Sequence, residues 1–414
     1  CLTEPHAGSD VGAATTTATR NDDGTYRIRG TKIFISAGDN DLGTNVVHLV
    51  LARIEGAEPG TKGLSLFLVP RVRINEDGSL GELNDVEVPS IEHKMGINAS
   101  ATCVMQFGDD DRSIGEVVGG IEHQGIRQMF HMMNAARIGV GIQGLSVASA
   151  SYLSALEYAR ERKQGANVKQ FKDANAPRVP IIEHPNIRRD LLAMKARVEG
   201  IRALVMKLSS HGDRLAETQG RDDESEAYHK GQIDLLTPLV KATGTDAAFE
   251  VSSREIQVYG GHGYLKDHPV EQYCRDAKIF QIYEGTNFIQ SMDLVSRKLG
   301  QAGGANTQAF LTDIQSFITS HKDTPELAEG VGHLQAAHEA VAASVMKLIA
   351  WFKGGKLEHI PLAAEDFLTI MSDLAVGWLL LDQAAIALKK LPETSATHPD
   401  HAFYTGKKFA AQYF

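Results

Sequence analysis

One carboxylate in this chain stands where a base that takes a proton from carbon would be placed. Glu284 is followed by Gly285, Thr286 and Asn287 and lies between residues 271–283 and 288–299, both of which read as helices. Gly285 is the residue type that most readily takes the left-handed conformation ending a helix. Asn287, with Gln290 three residues on, has the spacing that caps the next helix. A carboxylate on a last helical turn meets the negative end of the helix dipole, and a Glu tuned in this way on a rigid corner suits general-base work. On local sequence alone, an ordinary exposed Glu in a helix–helix turn is the commoner reading.

Other patterns carry less. Gly139, Gly141 and Gly144 satisfy G-x-G-x-x-G, but residues 129–137 before them read as helix where a dinucleotide site needs a strand, so close helix packing is expected and a Rossmann domain is not. Asp109, Asp110 and Asp111 form a solvated acidic turn. No HExxH or EF-hand spacing occurs, so no metal is expected, and none of the 16 His residues has an identifiable Ser or Cys partner for hydrolysis. Cys1, Cys103 and Cys274 are too dispersed for a disulfide framework or zinc site, which makes a reducing compartment the default.

The elements that must position these residues divide into a β part and a helical part. Residues 25–30 and 32–36 read as strands around a Gly turn, and 45–53, 63–69 and 102–107 continue the pattern. Long helices follow at about 124–162, 186–215 and 228–259, then a glycine-rich linker at 300–307 and further helices at 327–352 and 363–391. The expected fold is α+β: a small β-barrel or sandwich domain (1–115), an antiparallel four-helix-type bundle carrying Glu284 (116–300), and an additional helical domain (308–414). The chain's 414 residues suffice for this, with 43% hydrophobic and 23% charged residues. A net charge of -10 argues against a nucleic-acid surface. The most apolar stretch, 367–388, is interrupted by Asp373 and Asp382 and reads as a buried helix, not a membrane span.

Four segments in order resemble the acyl-CoA dehydrogenase family: residues 1–10 (Cys1 to Asp10), residues 257–264 (Gln257 to Tyr264), Arg275 to Ile279, and Tyr283 to Thr286. The match runs to about Gly300. It implies FAD-dependent α,β-dehydrogenation of an acyl-CoA thioester to the trans-2-enoyl product. Glu284 would take the α proton while the β hydrogen passes as hydride to flavin N5, the thioester carbonyl being polarised by a flavin ribose hydroxyl and the Glu284 N–H.

By the same resemblance, Cys1, Thr3, Gly8 and Ser9 wrap the flavin. Phe34, Ile35 and Ser36 stand for the family's Trp-Ile-Thr against it. Arg162, Gln257, Gly260 and Gly261 reach the cofactor of a partner subunit, and Thr286 and Asn287 contact FAD. Ser9, Ser100, Asn134, Arg137 and Gly285 would hold the CoA substrate. Ala136 stands where a minority of relatives carry their base, which returns that role to Glu284. His184 and Pro185 replace the family's His-Gln pair, removing one amide contact.

The additional C-terminal domain points to the longer branch that includes 3-(methylthio)propanoyl-CoA dehydrogenase. That branch implies a homodimer, electron-transferring flavoprotein as acceptor, and a bacterial cytoplasmic location or, in a eukaryote, the mitochondrial matrix. The chain opens on the flavin motif with no initiator Met, so a preceding N-terminal helical domain is expected, and residues 401–414 look like a closing helix cut short. An acyl-CoA oxidase passing electrons to oxygen and a non-catalytic scaffold or assembly protein on the same fold are the alternative readings.

Overall fold

The first unit holds nine strands, which, apart from the Leu-Gly-Glu-Leu of β6, carry β-branched or aromatic residues between turns: β1 (Thr17–Arg20), β2 (Tyr26–Ser36), β3 (Val47–Ile54), β4 (Leu64–Pro70), β5 (Val72–Ile74), β6 (Leu80–Leu83), β7 (Val86–Ile91), β8 (Thr102–Phe107) and β9 (Ile114–Val117). The computed structural model describes residues 1–414. The expected Gly turn in the first strand pair does not exist: residues 26–36 are one strand. A side chain at Gly30 would lie 2.5 Å from Thr16 Oγ1 and 2.9 Å from Thr16 Cα. Glycine is there to let the neighbouring chain approach, not to reverse direction.

Strand β2 is shared along its length. Its first half pairs with β1 and β9, and its second half, residues 30–36, pairs with β8. Together with β1–β3, β3–β4 and β4–β9, these pairings close a five-stranded barrel, from which β8 and β7 extend. Only the β1–β3 pairing is parallel. Tyr26, Ile28, Val50, Phe67, Cys103, Met105 and Phe107 fill the core, Tyr26 and Phe67 meeting edge to face at 5.0 Å.

The chain divides into two compact units, Cys1–Ala135 and Ala136–Phe414, and the dividing point falls within helix α1 (Gly125–Glu161). A short ribbon, β10 (Lys163–Ala166) with β11 (Arg178–Pro180), precedes α2 (Pro185–Thr218) and α3 (Asp223–Tyr259). Pro185 opens α2 at its first turn, where no N–H is missed. Asp222 caps α3, accepting from Ser225 N at 3.1 Å, with Asp223, Glu224 and Glu226 on the positive end of the dipole. Then come α4 (Val270–Ala277), α5 (Asn287–Asp293), α6 (Ala305–His321), α7 (Ala328–Lys353), α8 (His359–Lys390) and α9 (His401–Tyr413).

Helix α6 has no counterpart in the sequence reading, although Phe310, Leu311, Ile314, Phe317 and Ile318 form a buried stripe. The glycines just before it draw attention to a linker instead. His359–Glu393 is long and apolar enough to cross a membrane, but 67% of its most apolar window is buried. Leu374, Leu380 and their neighbours on α8 share one hydrophobic cluster with Leu204 of α2 and Leu239 of α3, so α8 is a core helix.

The G-x-G-x-x-G of residues 139–144 lies inside α1, with no strand before it. A Cβ on Gly141 would meet Val240 O at 2.7 Å, one on Gly144 would meet Gly244 O at 2.3 Å, and one on Gly244 would meet Gly141 O at 2.6 Å. These glycines bring the α1 and α3 backbones into contact, whereas Gly139 faces open space. Gly144→Ala is expected to lower stability by about 1–3 kcal/mol, since backbone atoms must move apart. Gly139→Ala should leave it unchanged or raise it by about 0.5–1 kcal/mol. Chemical denaturation of the two variants separates them; equal effects would contradict the crossing.

Candidate active site

In the first unit, the opening segment is tied to the barrel by its own backbone. Ile33 N donates to Thr3 O at 2.9 Å, and Leu51 N donates to Cys1 O at 3.1 Å. Glu4 and Ala7 exchange backbone hydrogen bonds around a tight turn, which leaves Gly8 and Ser9 exposed. Beneath this turn Glu4, only 2% exposed, accepts from Lys32 Nζ at 2.8 Å, from Thr16 Oγ1 at 2.6 Å and N at 3.1 Å, and from Thr15 N at 2.7 Å and Oγ1 at 2.9 Å. Lys32 Nζ also donates to Leu2 O at 3.0 Å.

Burial pushes the Glu4 carboxyl up, but the hydrogen bonds from Lys32, Thr16 and Thr15 outweigh it and bring it down to about 2. Burial pushes Lys32 down in spite of Glu4, so the pair's net worth is smaller than the Glu4 shift alone implies. The pair is ionised, because the Glu4 oxygen facing the lysine also accepts from Thr16 Oγ1 and N.

Between Lys32 and Ile35 the β2–β8 register shifts, and Phe34 takes the left-handed conformation (φ 60°) with 60% of its surface exposed. A bulge of this kind re-aims a side chain out of the ladder. Ser36, two residues on, is exposed and Ile35 half-buried. Ala37 N donates to Ala101 O, which holds the end of β2 against the loop carrying Ser100. Lys94 Nζ draws that loop together through Ile97 O at 2.8 Å, Ser100 O at 2.5 Å and Thr102 Oγ1 at 2.8 Å. These bonds tie together the segments that carry Cys1, Thr3, Gly8, Ser9, Phe34, Ile35, Ser36 and Ser100, with Cys1 and Ile35 packed against the barrel core.

In the second unit, α4 gives way to a 3-10 turn at Lys278–Gln281, and both Glu284 (φ 54°) and Gly285 (φ 85°) are left-handed. Thr286, not Asn287, caps α5: its side chain accepts from Ile289 N at 3.1 Å. Asn287 is instead the first residue inside the helix. Gln290 is fully buried and reaches back to the carbonyls of Gly285 at 3.1 Å and Glu284 at 3.4 Å, where the capping-box spacing placed it on an N–H. The turn thus engages the carbonyls of its two corner residues and not their N–H groups. Tyr283 OH donates to Gln143 on α1, and burial pushes its phenol up to about 12. The Glu284 side chain is exposed.

Arg137 of α1, 3% exposed, lies against this corner: a Cβ on Gly285 would be 3.6 Å from Arg137 Nη2. Its Nη1 pairs with Asp293 at 3.4 Å, burial pushes its guanidinium below the usual range, and Asp293 and Glu284 pull the other way. Asn134 precedes it by about one turn of α1 and is half-buried. Sequence reasoning missed Lys241, Asp246 and Gln281 around the turn, and placed Gln290 there on the wrong backbone group. Lys241 was signalled by being a lone charge in the small and apolar run 235–245.

A third group forms at the C-terminal end of α3. Tyr158 stacks on Tyr259 (centroids 3.9 Å apart) and hydrogen bonds His262 Nδ1 at 3.0 Å. Arg162, Gln257, Gly260 and Gly261 are exposed around this stack. Sixteen residues of α3 separate Lys241 from Gln257, roughly 24 Å along the axis, so within one chain this group is remote from Glu284. A pocket of the second unit lies among α7, α8 and α9, beside Leu334, Gly377 and Phe414, and contains none of the expected site residues.

Residues 1–109 match the acyl-CoA dehydrogenase middle domain, 123–299 the acyl-CoA dehydrogenase C-terminal domain, and 310–414 a domain described as acetyl-CoA dehydrogenase C-terminal like. The chain is 42% identical to the broad-specificity linear acyl-CoA dehydrogenase FadE5 of Mycobacterium tuberculosis, over 100% of its own length and 68% of that protein. It is 40% identical to the 3-methylmercaptopropionyl-CoA dehydrogenase of Ruegeria pomeroyi, over 92% of this chain and 63% of that one. An acyl-CoA dehydrogenase from Bacillus anthracis, solved with FAD, has the same fold (TM-score 0.72, 23% identity, 99% of this chain and 65% of that one). The chain thus spans about two thirds of the length of these proteins.

The buried pair under the opening segment gives a pH signature. The Glu4 pKa falls from 4.5 unfolded to about 2 folded, so its stabilisation is present above pH 4.5 and is lost as pH falls toward 2. Glu4→Gln strands a buried lysine and is expected to cost about 3 kcal/mol at pH 7, with the gap to wild type narrowing from pH 4.5 downward. Thermal unfolding across pH 2–7 measures it; a gap independent of pH would refute the ion pair.

Proposed function

The chain belongs to the acyl-CoA dehydrogenase family, in the branch with an added C-terminal helical domain, and from that premise we propose that it oxidises an acyl-CoA thioester to the trans-2-enoyl-CoA with Glu284 as the base. The observation that carries this reading is the corner itself. A glutamate in a left-handed conformation is uncommon, and such strain concentrates where a side chain must be aimed. Here it is aimed outward, beside a buried arginine.

The barrel surface fits FAD. Phe34 is turned out of its strand as an aromatic platform, Ser36 and Thr3 supply hydroxyls, and the exposed turn at Gly8 and Ser9 leaves its backbone open to a pyrophosphate or ring edge. When bound, FAD supplies the acceptor for the hydride leaving the β carbon. Glu284 removes the α proton. The Glu284 main-chain N–H polarises the thioester carbonyl as negative charge builds on it, and Arg137 provides a fixed positive charge at the same corner. The family resemblance gives CoA-contacting roles to Ser9, Ser100 and Asn134 in the first unit and to Arg137 and Gly285 in the second.

Arg162, Gln257, Gly260 and Gly261 serve the FAD of a partner subunit in a homodimer, which accounts for their distance from Glu284. Electron-transferring flavoprotein takes the electrons away. Asn287, whose amide is committed to protein partners, meets FAD through its backbone, next to Thr286.

Glu284→Gln in the FAD-loaded full-length protein is expected to keep its flavin and to lose turnover by about 10²–10⁴-fold, the range contributed by a positioned base. Steady-state assay with a panel of acyl-CoA thioesters, beside the flavin absorbance, measures both. Retention of more than a few per cent of turnover would overturn the assignment.

A further inference from the structure

The catalytic corner is anchored from below by a lysine with no exposed surface. Lys241 lies in the middle of α3, is 0% exposed, and donates from Nζ to Asn287 Oδ1 at 2.9 Å. Asn287 is spent entirely on α3. Its Oδ1 also accepts from Thr245 Oγ1 at 3.3 Å, and its Nδ2 donates to Asp246 at 2.8 Å, Thr245 Oγ1 at 3.1 Å and Ala242 O at 3.4 Å. Asp246 takes a further bond from Gln281 Nε2 at 2.7 Å. Gln281 stands three residues before Glu284 and Asn287 three after it, so one helix holds both flanks of the corner.

A buried ammonium is costly, and an apolar side chain of the same length would fill the space without that cost. Burial pushes Lys241 down to about 8; Asp246 and Glu284 pull the other way, while Arg137 adds to the fall. The lysine is therefore electrostatically in touch with the same two groups that make the candidate site. It reaches them because the glycine crossing of α1 and α3 brings Arg137 and Lys241 to one end of the contact.

We propose that Lys241 is a positioning residue for the dehydrogenation, acting through Asn287 to fix the Glu284–Gly285 corner in its left-handed geometry. This rests on the reading of Glu284 as the base. A corner free to relax would hold Glu284 and its N–H out of line with the substrate, and small misplacements cost large factors in rate. Substrate affinity, set by other residues, would change little.

The test is a double-mutant cycle in the FAD-loaded full-length enzyme at saturating FAD, using Lys241→Met, Asn287→Leu and the pair. Each single variant is expected to keep flavin and to lower kcat by about tenfold or more with KM for acyl-CoA within about twofold, and the pair should be no worse than the poorer single, since one linkage is being cut. Wild-type kcat in either variant, a loss carried in KM, or losses that multiply in the pair would overturn the proposal. Failure of both variants to fold would assign the linkage to stability alone and overturn it equally. Run beside Glu284→Gln, the failures stay distinct: an active Glu284→Gln defeats the reaction, whereas an inactive one beside a wild-type Lys241→Met defeats only the positioning role.

Discussion

Two successive left-handed residues, Glu284 and Gly285, are the constraint around which the second unit is organised. For glycine this conformation is free, but for glutamate it costs about 1–2 kcal/mol, and the surroundings must over-determine it. They do so from three sides. Gln290 takes both carbonyls, Thr286 caps the helix that follows, and α3 grips Gln281 and Asn287 on the two flanks. The first two clamps are local to residues 284–290, the third depends on α3, and α3 stands close to α1 because Gly141, Gly144 and Gly244 carry no side chains.

The first unit solves a similar problem with different parts. Phe34 is also a non-glycine in left-handed backbone, and it is over-determined by strand pairing on either side of a bulge. The opening segment cannot drift from that bulge, because Ile33 holds Thr3 and the neighbouring Lys32 holds Leu2 and Glu4. In both units, a charged side chain buried beneath a surface turn fixes the turn's shape. Lysine does this well, since its ammonium can satisfy several acceptors at the end of an apolar stem.

Much of this was legible in the sequence, and what was not has identifiable causes. Strands β2, β3, β4 and β8, the long helices and the helix-packing role of residues 139–144 were legible, because burial on one face imposes a period, whereas the short strands β1, β5, β6 and β9 are too brief to show one. The corner at Glu284 was legible from the glycine after it, whereas its reading as a base came from the resemblance of residues 283–286, since local sequence alone favours an ordinary exposed Glu. The reversal at Gly30 was misread because a glycine between β-formers looks alike whether it turns the chain or admits another one. The cap at residue 286 was misread because Thr and Asn are both good caps, and only the fold decides which side chain faces the helix start. Lys32 and Lys241 were illegible as partners of Glu4 and Asn287, since separations of 28 and 46 residues leave no local trace.

If Glu284 is the base, it must move the α proton whether or not oxidation follows. The most direct measurement is therefore wash-in of deuterium from D2O at the α carbon of an acyl-CoA thioester, followed by mass spectrometry on the FAD-loaded full-length protein. The account predicts incorporation by the wild type and none above background by Glu284→Gln, with flavin content equal in the two. Equal incorporation by both would place proton abstraction on another residue and remove the claim on which the rest depends.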